Sequence, residues 1–263
     1  MIIKETNGVK YCVFENIEKT GIVSHCFSTR KGGVSEGIFD SLNVSYTRGD
    51  KKENVDENIK RICSAIGVSA ENIVCGHQVH GNKILKIFKS DMGRKGITDY
   101  DGFITNEKGI VLSTFHADCV PIFMVDTQNR AIAMVHSGWR GTAKKIAAQA
   151  IEKMKEEYGT RAENIAAAIG PSIGMCCFQV DMPVVAAMRE AFDFADEFIK
   201  KDETSKDHFK ADLWGINKRL LEECGVKNIE VTDKCTMCNE DLFYSHRRMG
   251  NERGSMAAYI CLK

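Results

Sequence analysis

The stretch STFHADCVPIFMVD (Ser113–Asp126) sets His116, Asp118 and Cys119 within four residues of one another, inside an otherwise apolar run. Two further stretches carry chemistry of the same kind: CGHQVHGNKI with His77 and His80, and AMVHSGWRGT with His136. Imidazole nitrogens and thiolate sulfur are donors that zinc prefers. Two imidazoles and one thiolate would leave a fourth position open, the pattern of a catalytic rather than a structural ion. Without a metal, Cys119 and His136 could instead act as nucleophile and base of a cysteine hydrolase or deamidase. A copper oxidase calls for more imidazole and soft ligands, and the chain has only seven histidines.

Strand periodicity narrows the ligand set. Successive side chains alternate faces in an extended chain, so His116 and Asp118 share one face and Cys119 takes the other, unless the strand breaks at Ala117. His116 and Cys119 are therefore not expected to share a metal. His77 and His80 oppose each other for the same reason, and Gly81 favours His80 because it lets another group come close. The single Cys-x-x-Cys, CTMC at Cys235–Cys238, has no second such pair after it and fits either zinc or a redox role. FSTRKGGVSEG (Phe27–Gly37) offers a basic pair and glycine N–H groups to an anion, or simply closes a hairpin. HSGWRGTAKK and the YSHRR corner (Tyr244–Arg248) are open to the same two readings: an anion site, or ordinary helix entry and surface pairing.

The elements that must position these groups are short. Apolar spacing predicts helices over Glu53–Ile66 (Val55, Ile59, Ile62, Ile66) and Thr142–Tyr158 (Ile146, Ala150, Ile151, Met154), each stopped by a glycine. A third starts near Asp181 with Pro183 in its first turn, and a fourth runs from Asp212 to Gly225. β-Branched and aromatic runs predict strands at Ile84–Phe88, Ile110–Phe115, Ile122–Val125, Ala131–Val135, Ile165–Ile169, Ile229–Thr232 and Ala258–Leu262. The reactive residues fall at strand ends or in the turns beside them, where a rigid scaffold can aim several side chains at one point. The class is α/β or α+β. With three prolines, no repeat and no linker-like tract, residues 1–263 are expected to form one domain.

Lys plus Arg and Asp plus Glu number 36 each, so no nucleic-acid or membrane partner is expected from charge. Eleven cysteines, an odd and scattered set, suit a reducing compartment. The opening MIIKETNGVK lacks the basic-then-apolar pattern of a secretion signal, which makes the cytoplasm the expected location.

The blocks FSTRKGGVSEGIFDSLNVS, QVHGNKI, ADCVPIF, VHSGWRG, AIGPSIGMCCFQV and CTMCNEDLFYSHRR with RGSMAAYI stand in order along the chain. Together they resemble the YfiH-like laccase-domain family, also called the polyphenol oxidase or single-domain purine nucleoside phosphorylase family. The resemblance covers about Phe27 to Leu262 and implies one domain of layered mixed sheets flanked by helices. It implies that zinc, rather than copper, is bound by His80, Cys119 and His136, which would also be the catalytic set. It further implies phosphorolysis of adenosine, inosine and 5'-methylthioadenosine to free base and ribose 1-phosphate, with adenosine deamination as a side activity. Copper-dependent polyphenol oxidation is the older description of similar proteins. For the phosphate that this chemistry needs, Arg30 in its glycine loop and Arg247 are the expected clamp, with Ser28 and Asn43 as polar supports. Asp118 is the nearest carboxylate for a proton shuttle. Two departures from the family pattern are Ser137, where alanine is common, and His246, where tyrosine is common.

The ligand assignment has a direct test by metal analysis. His80→Ala, Cys119→Ala and His136→Ala should each lose bound zinc and turnover, and His77→Ala should keep both. Loss of metal in His77→Ala alone would overturn the assignment.

Overall fold

The computed structural model describes residues 1–263. Two six-stranded sheets organise the chain. The first runs in the order β1 (Ile2–Thr6), β2 (Val9–Val13), β3 (Val23–Ser28), β12 (Met256–Leu262), β7 (Val111–His116) and β4 (Ile73–Val74). The second runs β11 (Asn228–Val231), β10 (Ile165–Ile169), β8 (Val120–Asp126), β9 (Ala131–Ser137), β6 (Gly102–Thr105) and β5 (Ile84–Lys86). Pairing is antiparallel except at β7–β4, β10–β11 and β5–β6, so both sheets are mixed.

The sheets are stacked with helices outside them. Phe27, Leu112 and Ile260 of the first sheet meet Phe103, Phe123, Val125 and Met134 of the second in a core between the two. On the far side of the first sheet, α1 (Lys52–Ala65) packs Val55, Ile59 and Ile62 against Tyr259 and Val111. On the far side of the second, α3 (Ile146–Tyr158), α4 (Met182–Ala191) and α5 (Leu213–Glu223) cover Ile122, Met124 and Val135. All seven residues of β8 are buried because both of its faces are covered. That explains why Val120–Asp126 reads as a continuous apolar run rather than an alternating one. Phe123 and Val125 point into the core between the sheets, while Ile122 and Met124 point to the helices.

The expected strands are all present within a few residues of their predicted ends. β1, β2, β3, β4 and β6 were not anticipated; β1 is a largely exposed edge, and its pattern carries little apolar signal. The helix expected over Thr142–Tyr158 is two helices, α2 (Trp139–Ala143) and α3, separated by Lys145 at φ +57°. A buried polar tie explains the break. Thr142 Oγ1 lies 2.8 Å from Ser137 Oγ and accepts from Asn217 Nδ2 at 3.1 Å, which fixes α2 against β9 and α5. Ser137 Oγ also donates to Asn217 Oδ1 at 3.1 Å, so the serine that departs from the family pattern is absorbed into this tie.

Because Phe123 is fully buried between the sheets and also packs on Phe14 at a ring separation of 5.1 Å, its truncation has a defined cost. Phe123→Ala should lower stability by about 3–5 kcal/mol. Denaturant unfolding checks this; a loss below about 1 kcal/mol would mean that the stacked-sheet core is not formed as described.

Candidate active site and metal centre

β7 and β8 belong to different sheets, and the chain crosses between them in the three residues Ala117–Cys119. Asp118 makes the crossing at φ +84°. The strand does break at Ala117, and Cys119 emerges at the rim of the second sheet. The antiparallel register of β8 with β9 pairs Pro121 with His136 and Val120 with Ser137, which brings Cys119 beside Gly138 and His136. His80 reaches the same point from the QVHG turn, where its own φ is +58°.

The donor atoms of His80, Cys119 and His136 all lie within 4.8 Å of one another, and His80 Nε2 is 3.7 Å from Cys119 Sγ. His136 is buried, Cys119 half-buried and His80 exposed, so the cluster opens to solvent on the His80 side. Gly138 is required there: a Cβ at this position would lie 2.8 Å from His80 Cδ2 and 3.1 Å from Cys119 Sγ. His77 lines the nearby cavity but is not among the clustered donors. His116 is held aside, its Nε2 2.8 Å from Thr114 Oγ1 and its Nδ1 3.1 Å from the Cys119 carbonyl.

One residue not singled out in the sequence organises the cluster. Asp101 is fully buried at the entry to β6. His136 Nδ1 donates to its Oδ1 at 2.9 Å, and the backbone N–H groups of His80, Val79 and Gly81 donate to the same carboxylate at 3.0, 3.2 and 2.7 Å. This keeps Nδ1 of His136 on Asp101, turns Nε2 toward Cys119 and sets the direction of the QVHG turn. Burial alone would raise the Asp101 pKa, but His136 and the N–H groups of Gly81 and Val79 outweigh it and hold the carboxyl low. Cys119 behaves likewise: burial opposes ionisation, yet the charge on His136 and hydrogen bonds from His136 and His80 bring the thiol down to about 6. In turn burial lowers the His136 pKa, and Cys119 and Asp101 more than reverse that, raising it to about 9. The metal-free cluster is thus a thiolate–imidazolium pair at neutral pH. Zinc binding would displace the Nε2 proton of His136, leaving a thiolate and two neutral imidazoles, a donor set that fits zinc.

Two hollows meet at the cluster and share His80, Ala117 and Cys119. One, of about 350 Å³, includes Ser45, Arg48, His77, Arg253 and Ser255. The other, of about 640 Å³, is lined by Trp139, Ile173, Phe178 and Val180 together with Arg140, Asp181, His246 and Arg247. Arg48 and Arg253 were not anticipated as site residues. The Nε of each is buried and has no hydrogen-bond partner. Burial and the charge of Arg48 push the Arg253 pKa down to about 10, the signature of guanidinium charge that lacks a matching carboxylate.

The other expected anion groups are placed differently. Arg30 stacks 4.7 Å over the Tyr244 ring and donates to the carbonyls of Asp40 and Glu240, away from both hollows. The N–H groups of its glycine loop are spent inside the fold: Gly32 and Gly33 donate to Ser41 Oγ at 3.1 Å each, and Val34 to Asn58 Oδ1 at 2.8 Å. Ser28 is buried and accepts from the Ala257 N–H. Asn43 is buried, accepts from the N–H groups of Ser45 and Ser255 and donates to Asp50, which leaves it supporting the wall that carries Ser255. Arg247 lines the larger hollow and donates to the Cys177 and Gln179 carbonyls. Asp118 accepts from Thr236 Oγ1, Ser245 Oγ and the Arg247 N–H at 2.6, 3.0 and 2.6 Å, so its carboxylate is occupied in tying the C-terminal loops to the crossing.

A layered α/β chain with an open His–Cys–His cluster at the rim between its sheets is what this fold and site define. The chain belongs to the family described as multi-copper polyphenol oxidoreductase laccase, which residues 24–263 match. It is 38% identical over 242 residues to purine nucleoside phosphorylase YlmD of Geobacillus stearothermophilus, covering 89% of this chain and 88% of that one. It is 33% identical to a purine nucleoside phosphorylase of Bacteroides thetaiotaomicron, covering 99% of both chains. The crystal structure of YlmD from Geobacillus stearothermophilus superimposes with a TM-score of 0.90 at 34% identity, over 99% of this chain and 98% of that one. No helix is long and apolar enough to cross a membrane.

The electrostatics of the cluster set a pH dependence. In metal-free protein, iodoacetamide should alkylate Cys119 with a midpoint near pH 6, since the thiolate persists down to that value. Asp101→Asn should move the midpoint upward by weakening the imidazolium, and should weaken metal binding about 10- to 100-fold. A wild-type midpoint near that of an ordinary thiol would refute the pairing.

Proposed function

We propose that this protein is a zinc-dependent purine nucleoside phosphorylase. It would cleave inosine, adenosine and 5'-methylthioadenosine with phosphate to the free base and ribose 1-phosphate, with adenosine deamination as a side activity of the same site. The observation that carries this reading is the pair of buried, partnerless Nε atoms of Arg48 and Arg253 in one hollow, next to an open three-donor cluster and a larger hollow that holds Trp139, Phe178 and Val180. The names of the relatives point the same way.

Phosphate belongs in the hollow of Arg48 and Arg253, where Ser45 and Ser255 add hydroxyl donors. Two guanidinium groups without a carboxylate partner are a costly arrangement unless an anion completes it. The purine and ribose belong in the larger hollow, against Trp139, Phe178 and Val180, with Arg247 at the edge. Zinc, held by His80, Cys119 and His136, would supply a Lewis acid at its open position. Asp101 keeps His136 in the ligating tautomer. Positioning two reactants across one junction supplies most of what phosphorolysis requires. Residues 1–263 act as one catalytic unit in this reading. Its partners are small molecules and not nucleic acid or a membrane, and the eleven thiols suit the cytoplasm.

A second reading is favoured by one observation, the thiolate–imidazolium pair of Cys119 and His136, which would suit a cysteine hydrolase or deamidase. Copper-dependent phenol oxidation has less support, because the cluster offers only three donors.

Chromatography of inosine, adenosine and methylthioadenosine reactions, with metal-quantified protein and with or without phosphate, separates these. Phosphate-dependent base release is expected, with KM for phosphate raised at least about tenfold in Arg48→Met while zinc is retained, the loss of one charge-assisted contact. Base release that ignores phosphate, or none from zinc-loaded protein, would overturn the reading. Activity of metal-free protein that alkylation of Cys119 abolishes would establish the hydrolase.

A further inference from the structure

A second cluster of metal-binding side chains lies outside the site just described. The tight turn GMCCF brings Cys176 and Cys177 against the CTMC turn, and the sulfurs of Cys176, Cys177, Cys235 and Cys238 all lie within 4.8 Å of one another. Cys238 Sγ is 3.3 Å from Cys177 Sγ and 3.6 Å from Cys176 Sγ. The sequence offered one Cys-x-x-Cys and no second; the missing half is the adjacent pair about sixty residues earlier, supplied by the fold.

We infer that these four cysteines form a structural zinc site, independent of the His80–Cys119–His136 centre. Four sulfurs at Zn–S bonds of about 2.3 Å stand roughly 3.8 Å apart at the corners of a tetrahedron, close to the spacing found. An iron–sulfur cluster would spread its cysteine sulfurs further, because iron and sulfide atoms lie between them. The backbone around Cys235 is built to receive a thiolate. Gly174 N–H donates to Cys235 Sγ at 3.3 Å, and the N–H groups of Met237 and Cys238 also point to that sulfur. Lys210 Nζ donates to the Cys176 carbonyl at 2.7 Å and Arg247 to that of Cys177 at 3.3 Å, which places two cations beside a centre that would carry net negative charge.

The two turns are also held together without help from the sulfurs. Ser172 and Cys235 form a bridge pair, Thr236 N–H donates to the Ser172 carbonyl at 2.9 Å, and Trp214 Nε1 donates to Ser172 Oγ at 2.6 Å. Gly174 allows the close approach: a Cβ there would lie 3.0 Å from Trp214 and 3.3 Å from both Cys176 Sγ and Cys235 Cβ. The sulfurs are therefore gathered by the fold before any ion binds, and each thiol releases its proton to solvent as it coordinates. The site would clamp two loops that matter to the larger hollow. Phe178 and Gln179, next to Cys177, form part of its wall, and Thr236, inside the CTMC turn, holds Asp118.

Elemental analysis of protein purified under reducing conditions is expected to give two zinc ions per chain, falling to one in Cys176→Ser/Cys238→Ser and to one in Cys119→Ala. Cobalt loaded into Cys119→Ala should show the strong sulfur-to-metal absorption and intense visible bands of a tetrahedral thiolate site, a readout that does not depend on turnover or on the double variant folding. Thiols titrated in denaturant with chelator, without reductant, should number eleven. One zinc in the wild type and none in Cys119→Ala would overturn the inference. So would nine titratable thiols, which would mean a disulfide in place of the site, and bound iron would overturn the choice of zinc. Failure of phosphorolysis with two zinc ions bound would count against the proposed function alone.

Discussion

The Asp101 carboxylate is the interaction on which the site depends. It is fully buried yet accepts from one imidazole and three backbone N–H groups, so its charge is compensated without a neighbouring lysine or arginine. A buried carboxylate that lost one of these donors would carry a penalty of about 1–3 kcal/mol, which makes the arrangement nearly all-or-none. Through it, the turn that bears His80 and the strand that bears His136 are locked to each other. The His136 N–H also donates to the Asp101 carbonyl at 2.7 Å, so side chain and backbone of one residue set both the position and the tautomer of the ligand opposite.

The second constraint is the crossing at Ala117–Cys119. A chain passing from one sheet to the other must turn within three residues, and Asp118 does so at positive φ, where aspartate is tolerated better than most side chains. Its carboxylate then collects Thr236, Ser245 and the Arg247 N–H, which draws the C-terminal loops over the junction. One tripeptide thereby delivers Cys119 to the cluster, ends the core strand of each sheet and anchors the wall of the larger hollow. The reactive residues inside an apolar stretch, unexplained by packing alone, mark the point where the two sheets part and a cavity begins.

Two groups of side chains able to hold a metal lie at the rim. The His–Cys–His cluster is open on one side and flanked by two hollows, one holding Arg48 and Arg253 and the other combining Trp139, Phe178 and Val180 with charged groups. The four-cysteine cluster lies under the loops of the larger hollow, where its backbone neighbours are already fixed by Ser172, Trp214 and Gly174. A catalytic metal centre needs an exchangeable position and room for reactants, whereas a loop clamp needs neither; the proposed roles of the two clusters follow that difference.

Much of this was legible in the chain itself. The periodicity of Lys52–Ala65, the β-branched runs of the central strands and the double-sided burial of Val120–Asp126 follow from residue type, because burial of apolar side chains dictates the element. His80, Cys119 and His136 could be picked as donors from their chemistry and their places beside strands. What the chain could not reveal is which polar atoms are already spent. Arg30 and its glycine loop look like an anion cradle in sequence, but their donors are consumed by Ser41, Asn58 and backbone carbonyls from distant segments. Arg48 and Arg253 carry no local pattern, and only the folded chain leaves the Nε of each buried without a partner. Asp101 and the Cys176–Cys177 pair gain their meaning the same way. Residue type determines which groups can bind a proton, a metal or an anion. Hydrogen-bond partners contributed by residues far apart in the chain decide which of them are free to do so.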